Sequence, residues 1–180
     1  MTDRERFLAH MTYQPVDRPP HCDFGFWPET IEAWHEQGLP REIAPDSAGA
    51  AASAYFGMDP LPRSVPVRSS LLPPFEQYVI EDLGDEEIVQ QQDGVRIRRH
   101  KHVVSIPMYE GYLLEDRESW EKLYKPRLDP DHPDRTPPGW DDDADRWRDE
   151  QRAEPLGVSV GSLFGWIRNW MGIENVSYAL

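Results

Sequence analysis

Three groups of residues have the types and spacing that chemistry could use. The first is His21-Cys22-Asp23, three potential metal ligands in a row. In an extended strand alternate side chains point to opposite faces, so only His21 and Asp23 could share a site. Zinc asks for three or four ligands, and no Cys-x-x-Cys or His-x-x-His pair stands elsewhere to complete the set. A buried cysteine beside a hydrogen-bonded histidine is the favoured reading. The second group is the basic run Arg96, Arg98, Arg99, His100, Lys101 and His102. Alternation puts Arg96, Arg98, His100 and His102 on one strand face, either an anion patch or, by default, a solvated surface. The third group is Gly161-Ser162 with Arg168 and Asn169 further on. Here a glycine would let a ligand approach the backbone and a helix N-terminus would favour an anionic group. The competing reading is a glycine that merely permits tight strand–helix packing. Arg168, a lone cation in an apolar helix, calls for a partner or a ligand.

Other chemistry is excluded by what the chain lacks. Asp129, Asp131 and Asp134 come without the glycine and terminal glutamate of a calcium loop, and Asp141-Asp142-Asp143 reads as a solvated charge run. No P-loop, G-x-S-x-G or G-x-G-x-x-G motif is present.

The elements that must carry these groups follow from local pattern. Thr2 and Glu5 form a capping box for a first helix with Phe7, Leu8 and Met11 on one face. Pro15, Pro19 and Pro20 stop it and lead into an expected strand, His21 to Phe26. Pro28 opens a second helix carrying Trp27, Ile31 and Trp34, closed by Gly38. Residues 46–56 read as an Ala-rich helix ending at Gly57. Asp93-Gly94, flanked by Val79–Gln92 and Val95–Val104, signals a β-hairpin, with Ser105–Leu114 as a third strand. Asp116 caps a helix bearing Trp120, Leu123 and Tyr124. Residues 126–143 are rich in proline and aspartate and read as an exposed loop, with a short polar helix over 144–152. Leu156–Val160 is an expected strand, then Gly161-Ser162, then an apolar helix from Leu163 to Met171 closed by Gly172, and a further helix from Ile173. Between Leu156 and Leu180 only Arg168 and Glu174 are charged, so this segment is expected to be buried on most sides.

Composition bounds the function classes. The 180 residues include 33 acidic and 19 basic side chains, for a formal charge of -14. Such a field disfavours nucleic acid and anionic lipid as partners. No apolar run reaches the roughly 20 residues of a membrane span. One cysteine, Cys22, and an N-terminus without an apolar core segment fit a reducing cytoplasm.

Several segments resemble one family. Arg4-Glu5-Arg6-Phe7-Leu8-Ala9 with Pro15-Val16-Asp17-Arg18-Pro19-Pro20 looks like the opening of the uroporphyrinogen decarboxylase superfamily. Pro155-Leu156-Gly157 through Gly161-Ser162-Leu163-Phe164, with Trp170-Met171-Gly172, resembles its later strand–turn–helix. The Asp93-Gly94 hairpin and Asp116 to Leu123 resemble its uncharacterised branch. That superfamily holds decarboxylases (lyases) of haem biosynthesis and corrinoid- and coenzyme-M-linked methyltransferases. The resemblance implies a (β/α)8 TIM-type barrel, of which these residues would be the N-terminal half, with a β-hairpin or meander inserted at 78–114. On this reading residues 1–180 are one incomplete domain ending in a strand–turn–helix at 155–180.

Departures from the family narrow the substrate. The decarboxylases follow the Arg-Pro-Pro element with two arginines that bind substrate carboxylates, whereas Asp23 to Glu29 contains none. Asp23 and Glu29 would repel a polycarboxylate porphyrinogen. The family's later-helix tyrosine is replaced by Asn169 or Trp170, and the zinc ligands of the methyltransferases belong to a second half. The expected activity is therefore on another small organic substrate, with the cofactor open. Asp23 would be the catalytic polar or acid/base group, Trp27 an apolar wall, Ser162 a hydrogen-bond donor and Arg168 an anion anchor. The alternative is a non-catalytic half that associates with itself or with a separate C-terminal half.

Overall fold

The computed structural model describes residues 1–44, 51–104 and 106–179. In chain order the elements are α1 (Asp3–Met11), α2 (Pro28–His35), α3 (Ala51–Tyr55), β1 (Arg63–Ser64), β2 (Tyr78–Asp82), β3 (Glu86–Gln90), β4 (Val95–His100), β5 (Met108–Tyr112), α4 (Arg117–Ser119), α5 (Trp140–Arg148), β6 (Leu156–Gly157), α6 (Leu163–Met171) and α7 (Ile173–Ala179). The chain divides into two compact units. Unit 1 is Met1–Val65 with Gly139–Val158, and unit 2 is Pro66–Pro138 with Ser159–Leu180.

In unit 1, α1 opens with the expected capping box. Thr2 Oγ1 accepts from Glu5 N at 3.2 Å, and Glu5 Oε2 accepts from Thr2 N at 2.7 Å. Pro28 occupies the first turn of α2, where its missing N–H costs nothing. The small core gathers Ile31, Leu39, Ile43 and Ala52, with Phe26 and Trp34 packed against it. Of the Ala-rich helix expected over 46–56, residues 46–50 lie outside the described residues, and Ala51–Tyr55 are helical. The His21–Phe26 strand does not form. Those residues pair with no strand, and the His21 carbonyl accepts from Asp59 N at 2.7 Å instead.

Unit 2 is built on one antiparallel sheet in the order β2-β3-β4-β5. Val89 pairs with Ile97 across β3–β4, and Ile97 with Tyr109 across β4–β5. The hairpin turn falls at Asp93-Gly94, where Gly94 has φ +83°. A Cβ at that glycine would sit 2.5 Å from Tyr124 Oη, so the turn is fixed by contact as well as by conformation. What reads as one strand from Val79 to Gln92 is two, β2 and β3, reversed at Leu83–Asp85. There Asp82 Oδ1 accepts from Gly84 N at 2.9 Å. Ser105 lies outside the described residues, and the third expected strand is β5. After α4, capped by Asp116, the chain tightens and widens through a π-turn over Trp120–Tyr124 and a 3₁₀ turn over Lys125–Leu128. Tyr124, fully buried, packs between Phe75 (5.2 Å) and Trp170 (5.3 Å), and its hydroxyl donates to the Asp93 carbonyl at 3.0 Å. Leu71, Val89, Val95, Ile97, Leu114, Met171 and Val176 complete this core among the described residues.

These strands correct the expected half of a (β/α)8 barrel. Among the described residues there are seven α-helices, a four-stranded antiparallel sheet and a single parallel pair, β1 with β6, two residues long on each side. The physical reason lies in the connections. Parallel neighbours need a crossover of about a dozen residues or more, whereas β2–β3 and β3–β4 are joined by tight reversals that permit only antiparallel pairing. Residues 78–112 thus form a meander that is the main sheet, not an insertion into a parallel one. The expected strand Leu156–Val160 shrinks to Leu156–Gly157.

The apolar segment at the end of unit 2 is also less covered than its composition suggests. Trp170, Met171 and Val176 are buried, but Leu163 is 96% exposed and Tyr178 84% exposed, with Phe164 and Ile173 at least half exposed. No helix among the described residues is long and apolar enough to cross a membrane.

Candidate functional site

The residues that most closely define a site in unit 1 begin with a charged clasp. Arg6, almost wholly buried, donates through Nε to Asp17 Oδ1 at 2.9 Å and through Nη2 to Asp17 Oδ2 at 3.0 Å. Its Nη1 reaches Asp3 Oδ1 at 3.0 Å and lies 3.6 Å from Asp59 Oδ1. Arg18 clamps Asp59 with Nη1 and Nη2 at 2.5 and 2.6 Å, and the His21 N–H donates to the same carboxylate at 2.8 Å. The Arg6 guanidinium holds the Asp17 carboxyl far below the usual carboxylate range. Arg18, with the His21 amide, does the same for Asp59. Planar bidentate pairs of this kind fix orientation as well as charge. Here they tie α1, the Asp17-Arg18-Pro19-Pro20 segment and Asp59 together, and so set where the chain at His21 starts.

Beyond the clasp lies a cavity of about 630 Å³ lined by Phe26, Trp34, Leu39, Tyr55, Phe56 and Met58, with His21, Gln37 and Gly38. Its size falls in the range of small-ligand sites. Phe26 and Trp34 meet at 5.1 Å, Trp34 and Phe56 at 5.2 Å, and Phe26 and Phe56 at 5.9 Å, all edge to face. A second hollow of about 380 Å³ is lined by Asp23, Phe24, Ser53, Met58, Asp59 and Leu61. Met58 borders both, so Asp23 stands in the hollow adjoining the aromatic cavity.

The four residues singled out in the sequence are divided between the units. Asp23 and Trp27 belong to unit 1, Ser162 and Arg168 to unit 2. Asp23 is exposed, and its Oδ1 accepts from Phe24 N at 2.6 Å. Trp27 is the residue from which α2 starts, and its indole is part-exposed and lines neither hollow. Ser162 caps α6, its Oγ accepting from Gly165 N at 2.9 Å. Arg168 is exposed and donates to Asn169 Oδ1 at 2.9 Å through Nη2, so water and a neighbour satisfy it. Gly161 (φ +71°) is where a Cβ would run into the Trp166 indole, which favours the packing role of that glycine. Asn169, Trp166 and Trp170 do line a crevice of about 280 Å³ with Gln92 and Asp93.

Of the strand face expected from Arg96, Arg98, His100 and His102, the first three lie on β4, which ends at His100, and several of the hairpin cations are paired. Arg98 pairs with Glu86, Arg99 with Glu87 and Lys101 with Asp82, and His100 Nε2 lies 3.5 Å from Glu86. Among the described residues no three His, Cys, Asp or Glu side chains gather to hold a metal ion. Cys22, expected to be buried, is exposed.

Sequence reasoning missed the aromatic cavity. Trp34 was visible on the face of α2, but Phe26 and Phe56 lie in irregular segments whose partners no periodicity reveals. No protein-family model, curated protein or solved structure matches the chain.

Proposed function

We propose that the chain is the N-terminal part of an enzyme related to the decarboxylase and methyltransferase superfamily it resembles. Its substrate is a small organic molecule received by the unit 1 cavity and is not a porphyrinogen. The observation that carries this reading is the character of that cavity: aromatic and aliphatic walls of ligand size, with neither arginine nor lysine among the described lining residues. A polycarboxylate would leave its charges unpaired there. Asp23, in the adjoining hollow, is the group we assign to proton transfer. The substrate contacts expected of Trp27, Ser162 and Arg168 are not part of this reading, since none of the three lines either hollow. Fluorescence titration of the chain with indole, small aliphatic alcohols and uroporphyrin tests the reading. Binding of the small neutral compounds, weakened by Phe56→Ala, is expected. Tighter binding of uroporphyrin, or no small compound bound, would overturn it.

A second reading has its own observation. Leu163, Phe164, Ile173 and Tyr178 leave an apolar surface uncovered on α6 and α7, which supports association with a second copy or a complementary chain. Size exclusion with light scattering checks it. A dimer that dissociates on Leu163→Glu supports association, and a monomer at all concentrations refutes self-association.

A further inference from the structure

The rings around the unit 1 cavity are not stacked on one another. Their planes cross at 64° (Phe26–Trp34), 63° (Phe26–Phe56) and 77° (Trp34–Phe56), and Tyr55 stands at 81° to Phe56 with centroids 5.2 Å apart. At these separations the rings pack against one another, and a guest in the cavity lies against the parts of them that line it. An aromatic face is the negative end of the ring quadrupole, so a guest lying against such a face is favoured if it carries diffuse positive charge. Leu39 and the polarisable thioether of Met58 add to the apolar lining, and among the described residues His21, Gln37 and Gly38 are the other lining members. The net charge of unit 1 as a whole points the same way. Unit 1 holds seventeen acidic against eight basic side chains, a field that draws cations and repels anions.

We propose that this cavity binds a small organic cation, with a quaternary or methylated ammonium group seated against Phe26, Trp34, Tyr55 and Phe56. The inference rests on the cavity being the ligand site and adds the chemical class of the ligand. A neutral guest of the same shape gains burial alone, whereas the cation gains burial and the attraction of the ring faces. A compact ammonium with strong hydration, such as a lysine side chain, gives up more water on entry than a methylated one does.

Calorimetric titration of the full chain with choline and with 3,3-dimethylbutanol, its uncharged isostere, isolates the charge. Choline is expected to bind about tenfold tighter than the isostere. Trp34→Leu is expected to weaken choline by about tenfold and leave the isostere near its original affinity. Tyr55→Leu guards against a folding defect, since Tyr55 is half exposed and outside the buried core, and it should weaken choline in the same direction. Equal affinities for the two compounds, or choline binding unchanged in both variants, would overturn the proposal. If the isostere or indole binds and choline does not, the cation assignment fails and the small-molecule reading survives. If none of the three binds, both fall.

Discussion

Replacing Asp59 by asparagine should open the clasp of unit 1 without changing its shape. The Asp59 side chain is only 10% exposed and meets Arg18, the His21 amide and the edge of Arg6. Removing one member of a buried ion pair costs about 3–5 kcal/mol, because the partner is left uncompensated. That range must be reduced here. Arg18 is 46% exposed, so water re-solvates it, and the asparagine oxygen still accepts one hydrogen bond. About 2–3 kcal/mol remains for the loss of Asp59, most of it from charge-assisted bonds. With a urea slope of about 2 kcal/mol/M, the midpoint should fall by roughly 1 M. The pH dependence gives a second reading of the same residue. Asp59 and Asp17 titrate far lower in the folded chain than the unfolded value of about 3.9. Their contribution is therefore fully present above that value and is lost as pH falls towards the folded ones. The variant should show a shallower loss of stability below about pH 4 than the parent. Urea titrations followed by tryptophan fluorescence at pH 7 and pH 3 supply both numbers. A midpoint that moves by less than about 0.2 M at pH 7 would refute the clasp as a stabilising unit.

Other outcomes follow from single contacts. Gly94→Ala places a Cβ against the Tyr124 hydroxyl at a positive φ, so the melting temperature should drop by several degrees or the chain should fail to fold. A variant as stable as the parent would show that the turn can relax. Tyr124→Phe leaves the Asp93 carbonyl without its donor and should cost about 1–2 kcal/mol in urea denaturation. A neutral result would mean that water replaces the hydroxyl. Ser162→Ala removes the cap of α6 and should cost about 1 kcal/mol, with Ser162→Gly costing less. Arg168→Met, at an exposed position whose guanidinium donates to its neighbour Asn169, should leave stability within about 0.5 kcal/mol, and a larger loss would reveal a structural role.

What could be read from the sequence was local. Thr2 and Glu5 announce the cap of α1, Pro28 the start of α2, and Asp93-Gly94 the hairpin, because each feature is satisfied within a few residues. The barrel reading failed where the decision was not local. A short apolar run such as Leu156–Val160 looks the same whether it pairs in parallel with a long strand or with two residues of β1. Val79–Gln92 likewise reads as continuous, since Asp82 to Asp85 differ little in polarity from the residues around them. The clasp was not legible: Arg6, Asp17 and Arg18 carry no periodic signal that joins them, and Asp59, which closes it, sits 41 positions from Arg18. Cys22, flanked by His21 and Asp23, and Arg168, set in an apolar helix, both read as inward-facing, and both side chains are turned to solvent.

The β1–β6 pair has a consequence for how the chain is made. Both units are discontinuous, each assembled from two stretches of sequence. Arg63 and Ser64 must wait for Leu156 and Gly157, about ninety residues later. At a synthesis rate of about 5–20 residues per second, that delay is roughly 5–20 seconds on the ribosome. During it the β2–β5 meander, whose partners are close in sequence, is free to form. The backbone bonds from Arg63 N to the Pro155 carbonyl and from Val65 N to the Gly157 carbonyl can close only when the rest of the sheet-forming chain has emerged. A pairing of two residues is thus the latest event in the assembly of unit 1, and slowing translation between residues 65 and 155 should lengthen the lifetime of a half-built intermediate.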